Sequence, residues 1–352
     1  MEHDIIGRAR QEGTPLIDRD SCQVTFIWRG RTPPQLNGDF DDWGAPNSAE
    51  HLQPGMVELE PSLWSYTLVL PRDAYIEYAF TLNGRRVPDP FNPHHVSNGM
   101  GAVNHFFYMP DACPTPLARR AGRVPHGEVT PYRIEAGELI VGSRRTMFLY
   151  RPPADGPYPL VVVLDGRDYL RRVRLPAIVD NLITHGRIRP IALALVDPSP
   201  SARFMEYACS EATVGFLTEV VVPFARKHLD LLDVGRAPGA YGVLGSSMGG
   251  VMALYASYRA PEVFGHTLSQ SGAFGTPGHD FVIFDLLRCS AVQPVRVWMD
   301  AGRYDGLLEC NRRMHQLLTS KGYDVAYHEY NGGHNYPAWR DDVWRGLEAM
   351  YG

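Results

Sequence analysis

The chain has 352 residues, 44% of them hydrophobic and 21% charged, which is the composition of a soluble globular protein with length for about two domains. Its formal charge of −5 argues against a nucleic-acid partner, and no apolar run approaches the roughly 18 residues that a membrane-spanning helix needs. The N-terminus lacks a basic segment followed by an apolar one, and the five cysteines (Cys22, Cys113, Cys209, Cys289, Cys310) are scattered with no C-x-x-C pair, so free thiols and a cytoplasmic location are expected.

From about Gln23 to Tyr108 the sequence reads as strands and turns. Val24–Trp28, Leu63–Leu70 and Ile76–Leu82 are rich in aromatic and β-branched residues, and Asn37-Gly38, Pro61-Ser62 and Asn83-Gly84 separate them. This spacing predicts a small β-sandwich over residues 1–109. Residues 110–127, with four prolines and three arginines, read as a linker without regular structure. Over 128–352 strands and helices alternate. Strands are expected at Arg145–Tyr150, Leu160–Leu164, Ile191–Val196, His266–Ser269, Val295–Met299 and Val325–Tyr330, and a helix at Thr213–His228. Leu160–Leu164 is apolar throughout, as a parallel strand covered on both faces would be. The predicted class is α/β, an α/β-hydrolase fold with a small N-terminal β-sandwich domain.

Gly245-Ser-Ser-Met-Gly249 lies between the apolar run Ala240–Leu244 and the helix-like run Val251–Tyr258. Strand, sharp turn and helix are the context of a nucleophile elbow, which would present the Ser247 hydroxyl. A serine hydroxyl is a weak nucleophile at neutral pH and needs a base, and the base needs an acid to fix its tautomer. In α/β-hydrolases the order along the chain is Ser, Asp or Glu, His. His334 in Gly332-Gly-His-Asn335 follows the last predicted strand. Asp305, Asp300 and Glu309 all follow or end the strand before it, and all three are candidates for the acid. The oxyanion of the tetrahedral intermediate needs two backbone N–H groups: Met248 after the nucleophile, and Arg167 in the loop Leu164-Asp-Gly-Arg-Asp168. His94-His95 has no further ligands nearby, so no metal site or cofactor is expected.

Leu164-Asp-Gly-Arg-Asp-Tyr169, Gly245-Ser-Ser-Met-Gly-Gly250, Leu268-Ser-Gln-Ser-Gly272 and Gly332-Gly-His334 with Trp339 together resemble the enterochelin (enterobactin) esterases, and more widely the esterase D group that includes feruloyl esterases. The resemblance covers nearly the whole chain. It implies a Gly-x-x-Asp acid loop, matched by Gly302-Arg-Tyr-Asp305, and oxyanion donors at Arg167 and Met248. It also implies substrate-binding residues at Arg203, Glu206 and Trp339, the first two as walls of the site. The N-terminal part resembles the Ig-like glycogen-binding modules of the isoamylase type through Asn37-Gly-Asp-Phe-Asp-Asp-Trp43, Tyr78-Ala-Phe80, Asn83-Gly84 and Gly101-Ala-Val-Asn104. Ala79 and Arg86 stand where glycan-binding members commonly have Lys and Trp, so glycan binding is not expected and a role shaping the substrate site is.

The expected function is that of a serine carboxylic-ester hydrolase, working through Ser247, His334, Asp305 and an acyl-enzyme on a small-molecule ester. Siderophore esters are the first expectation, because the family's trilactone substrate is anionic as its ferric complex. Arg167, Arg171, Arg172, Arg174 and Arg303 are candidates to rim such a site. The alternatives are a feruloyl or acetyl carbohydrate esterase and a non-catalytic carbohydrate-binding scaffold. Acyl transfer in place of hydrolysis and a homo-oligomer are both compatible with the sequence.

Overall fold

The computed structural model describes residues 5–45, 55–99, 101–276 and 278–352; the first four residues, part of the N-terminal reading above, lie outside the described residues. The chain divides into two compact units. One comprises Met1–Cys113, Gly302–Gly306 and Tyr330–Ala338, and the other Pro114–Ala301, Leu307–Glu329 and Trp339–Gly352.

In the first unit two antiparallel sheets enclose one core. The first sheet runs Leu16–Ile17, Gln23–Arg29, Leu63–Val69, Val57–Glu60 in spatial order. The second runs Gln35–Gly38, Tyr75–Leu82, Val103–Tyr108, His95–Ser97, with Arg85–Val87 also paired to Tyr75–Leu82. Alternation does the sorting along Gln23–Arg29: Val24 and Phe26 turn into the core, and Thr25 meets Thr67 across the strand pair, Oγ1 to Oγ1 at 2.9 Å. Phe26, Phe40, Tyr66, Tyr78, Phe80 and Phe107 fill the interior, with Phe26 edge-on to Tyr78 at 4.8 Å. Tyr304, from the Gly302–Gly306 segment, packs on this same core.

The second unit is built on an eight-stranded sheet. We number its strands β1 (Glu128–Glu135), β2 (Arg144–Arg151), β3 (Leu160–Leu164), β4 (Ala192–Val196), β5 (Tyr241–Ser246), β6 (Phe264–Gln270), β7 (Arg296–Gly302) and β8 (Asp324–Tyr330). Their spatial order is β1-β2-β4-β3-β5-β6-β7-β8. The first two are antiparallel, and β4-β3-β5-β6-β7 pair in parallel. Every residue of β3 and β4 is buried, as parallel strands roofed by helices must be. This is the α/β-hydrolase architecture with an N-terminal β-domain. The sequence pattern did not reveal β1: Glu-Val-Thr-Pro-Tyr-Arg-Ile-Glu has no apolar run, and its Pro131 is tolerated because the strand lies at the sheet edge and pairs only with β2. In the linker region a single 3-10 turn forms at Pro116–Ala118, and Asn181 Nδ2 donates to the carbonyls of Leu117 and Arg119. No helix of the described residues is long and apolar enough to cross a membrane.

His266 in β6 packs edge-on against Tyr351, with ring centroids 5.2 Å apart. Burial first, then the positive charges of Arg296 and Arg189, pushes its pKa down to about 4. A histidine depressed in the folded state contributes stability above its unfolded value of about 6.5, and that contribution is lost as pH falls towards 4. Thermal melts should therefore show a fall in Tm between pH 6.5 and 4.5 that is shallower in His266→Gln; parallel curves for the two proteins would contradict this.

Candidate active site

The turn after β5 is set by backbone geometry. Ser247 sits at φ 57°, ψ −124°, a strained conformation for a residue with a side chain, between the end of β5 and the helix Met248–Arg259. Gly245 has to be glycine, because a Cβ there would lie 2.3 Å from the Gly249 carbonyl oxygen. The strained residue is tied at both peptide groups: its N–H donates to the Gln270 carbonyl at 2.9 Å, and its own carbonyl accepts from Ala273 N–H at 3.0 Å. Those bonds to the end of β6 hold the elbow while its half-buried side chain stays accessible. Met248 is the first residue of the following helix, where an N–H has no partner within the helix and can serve an incoming oxyanion.

Asp305 and His334 meet within the first unit. His334 Nδ1 lies 2.9 Å from Asp305 Oδ2; the Asp305 side chain is 1% exposed and that of His334 35%. A carboxylate withdrawn from water is a strong acceptor, and it fixes the imidazole with Nδ1 protonated, leaving Nε2 as the basic nitrogen. Two segments carry the pair and are laced together by backbone bonds, Arg303 N–H to the Tyr330 carbonyl at 2.8 Å and Tyr304 N–H to the Gly332 carbonyl at 3.1 Å.

Asp300 has a different place. It is wholly buried within β7, where its carboxylate accepts from Gln270 Nε2 at 2.7 Å and from Ser271 N–H at 3.0 Å. It thereby fixes the end of β6, the same residue whose carbonyl holds Ser247. Glu309 pairs with Arg312 at 2.7 Å on the surface.

The Arg167 N–H, expected to face an oxyanion, donates to Asp197 Oδ1 at 2.8 Å, and the Arg167 side chain pairs with the same carboxylate. For this N–H to serve an oxyanion, Asp197 has to swing aside; nothing in the sequence around Asp197, one residue beyond β4, signals that contact. Among the described residues no group of three or more His, Cys, Asp or Glu is arranged to hold a metal ion.

Comparison with known proteins gives the family. The family model described as "Putative esterase" matches residues 139–350. The chain belongs to this family. It is a carboxylic-ester hydrolase, similar to the Iron(III) salmochelin esterase of Escherichia coli O6:H1 (26% identical, over 99% of this chain and 93% of that one) and to the Iron(III) enterobactin esterase of Dickeya dadantii (28% identical, 96% and 90%). Among solved structures, the ferric enterobactin esterase of Salmonella typhimurium superposes with a TM-score of 0.78 at 20% identity, covering 95% of each chain, which is a likeness of fold.

The residues expected to wall the substrate site brace loops. Arg203 makes a bidentate pair with the buried Asp165 (Nε–Oδ1 2.6 Å, Nη2–Oδ2 2.7 Å) and lies over the Tyr207 ring. Burial pushes the Asp165 carboxyl up, and the Arg203 guanidinium works against that rise. Glu206 pairs with buried Arg145 and accepts from Ser199 N–H at 2.9 Å. Trp339 is 3% exposed and donates its indole N–H to Ser271 Oγ at 3.1 Å, so it supports the end of β6 from inside and offers no ring face to a ligand.

A cavity of about 260 Å³ in the second unit gathers Arg171, Arg172 and Arg174 with Arg119 and Arg340. Among the described residues two carboxylates answer these charges: Asp341 bidentate on Arg340, and Asp168 at 3.6 Å from Arg172. Arg119, Arg171 and Arg174 make no ion pair among the described residues. Sequence reasoning singled out the 171–174 run but not Arg119 or Arg340; the basic stretch of the linker and the closeness of Arg340 to His334 in sequence were the available signals.

The contrast between the two aspartates is testable. Asp300→Ala strands a buried amide and a buried N–H and should cost about 2–4 kcal/mol of stability by chemical denaturation. An unchanged midpoint would contradict the anchoring role given to Asp300.

Proposed function

We propose that this chain is a serine esterase in which Ser247, His334 and Asp305 form the catalytic triad. The single observation that carries the reading is the His334–Asp305 pair at 2.9 Å in a chain that also holds a strained Gly-x-Ser-x-Gly elbow. Ser247 Oγ attacks the ester carbonyl carbon as His334 Nε2 takes its proton, and Asp305 stabilises the imidazolium. The carbonyl oxygen becomes an oxyanion against the Met248 N–H, with Arg167 N–H as second donor once Asp197 releases it. Collapse breaks the C–O bond, and the alkoxide leaves with the proton from His334. Water then adds to the acyl-enzyme by the same route, regenerating Ser247 and releasing the acid.

The substrate we assign is an ester of a ferric catecholate siderophore, of the kind named for the salmochelin and enterobactin esterases to which the chain is similar. The arginine-lined cavity supports this choice. Five guanidiniums against two carboxylates leave an excess of positive charge in a protein that is negative overall, which suits an anionic ligand. Arg203, Glu206 and Trp339 act by holding the loops that shape the site.

Hydrolysis of a catecholate trilactone, followed by product mass spectrometry, tests the reading. Ser247→Ala and His334→Ala should each lower kcat by about 10⁴-fold or more, and Asp305→Asn by about 10²–10⁴-fold. Arg171→Ala with Arg174→Ala should raise KM for the anionic ester and leave a neutral p-nitrophenyl ester unaffected. Wild-type turnover by Ser247→Ala would end the triad assignment, and equal effects on both esters would end the anionic-substrate assignment.

A further inference from the structure

The β-domain turn Asp39-Phe-Asp-Asp-Trp-Gly44 lies against both segments that carry the base and its acid, all within the first unit. Asp39, 2% exposed, accepts from Trp43 Nε1 at 3.1 Å, from Glu77 N–H at 2.8 Å and from Asn335 Nδ2 at 3.3 Å. Asn335 in turn caps the last helix, its Oδ1 accepting from Ala338 N–H at 3.0 Å. Gly333 passes so close to Asp39 that a Cβ there would fall 2.2 Å from the carboxylate. The residues on either side of His334 are thus fitted to one buried carboxylate. Asp42 does the same for the acid: its carboxylate accepts from Gly306 N–H, the residue after Asp305, and interacts electrostatically with both Asp305 and His334.

Placing four acids together is costly. Burial, then the Glu77 charge, pushes the Asp39 carboxyl well up; burial, then the Asp305 charge, pushes the Asp42 carboxyl up. Trp43 is itself part of the brace: its indole N–H holds Asp39 and its ring lies under the Arg86 guanidinium at 5.1 Å.

We infer that Asp39 and Asp42 are positioning residues of the esterase: through Asn335 and Gly306 the β-domain sets the orientation of the His334–Asp305 pair. This rests on the triad reading above. The β-domain motif that resembles a glycan module would then serve the hydrolase chemistry.

The test compares variants that keep or lose each tether, using a neutral p-nitrophenyl ester, with Tm recorded for all. Asp42→Ala should lower kcat about tenfold with KM unchanged, the size of effect that a slightly misplaced base produces. Asp42→Asn keeps an acceptor for Gly306 N–H and should recover most of the loss. Asn335→Ser keeps the helix cap but cannot reach Asp39, and should lose kcat as Asn335→Ala does. The low-field proton resonance of the His334 Nδ1–H, identified by its absence in His334→Ala, should shift or broaden in Asp42→Ala and Asn335→Ser. Full kcat in those two variants, in a protein that Ser247→Ala inactivates, would overturn the inference. The proton resonance needs no turnover, so an unmoved signal would overturn it even if the triad reading failed, and active Ser247→Ala protein would count against the triad alone.

Discussion

The contact between His334 Nδ1 and a carboxylate almost wholly withdrawn from water is the interaction on which the proposed chemistry depends. It fixes which imidazole nitrogen carries a proton, and in the proposed triad it is the counter-charge for the imidazolium of the transition state. Neither residue lies in a regular element, and both stand on loops that leave the carboxyl ends of β7 and β8. Such loops hold a geometry only if their backbone groups are tied, and here they are tied to each other and to the β-domain. Tyr75 N–H donates to the Asn331 carbonyl at 2.9 Å, and Asn331 Nδ2 donates to Asp73 at 2.7 Å.

Ser247, the proposed nucleophile, is held by a separate device. The conformation of Ser247 is unfavourable for a non-glycine residue, and Gln270 at the end of β6 and Ala273 just beyond it maintain it. Behind that strand end stand Asp300, Tyr169 and Trp339, all interior and all hydrogen-bonded to Gln270 or Ser271. A polar cluster in this position is stable because each member meets a partner, and it leaves the elbow little freedom to relax.

Much of this was legible in the sequence where the signal was local. The elbow announces itself through Gly245, Ser247 and Gly249 between an apolar strand and a helix, and the fold class follows from the alternation of strands and helices. The buried strands β3 and β4 stand out because every position is apolar. The edge strand β1 does not, since exposure on one side removes the hydrophobic run and a proline interrupts it. Asp300 and Asp305 are five residues apart, one within β7 and one just beyond it, and no local pattern separates a carboxylate held inside the sheet from one that meets a loop histidine. The link between Asp39 and Asn335 spans 296 positions and is invisible in any window of sequence. The same limit hid Arg119 and Arg340, which reach the arginine cavity from distant parts of the chain.

The most direct test of the central claim is covalent. A fluorophosphonate reacts with a serine made nucleophilic by a neighbouring base, and peptide mapping locates the adduct. The account predicts one adduct, on Ser247, forming much more slowly in His334→Ala and in Asp305→Asn. An adduct on another serine, or labelling of Ser247 at the same rate in all three proteins, would contradict it.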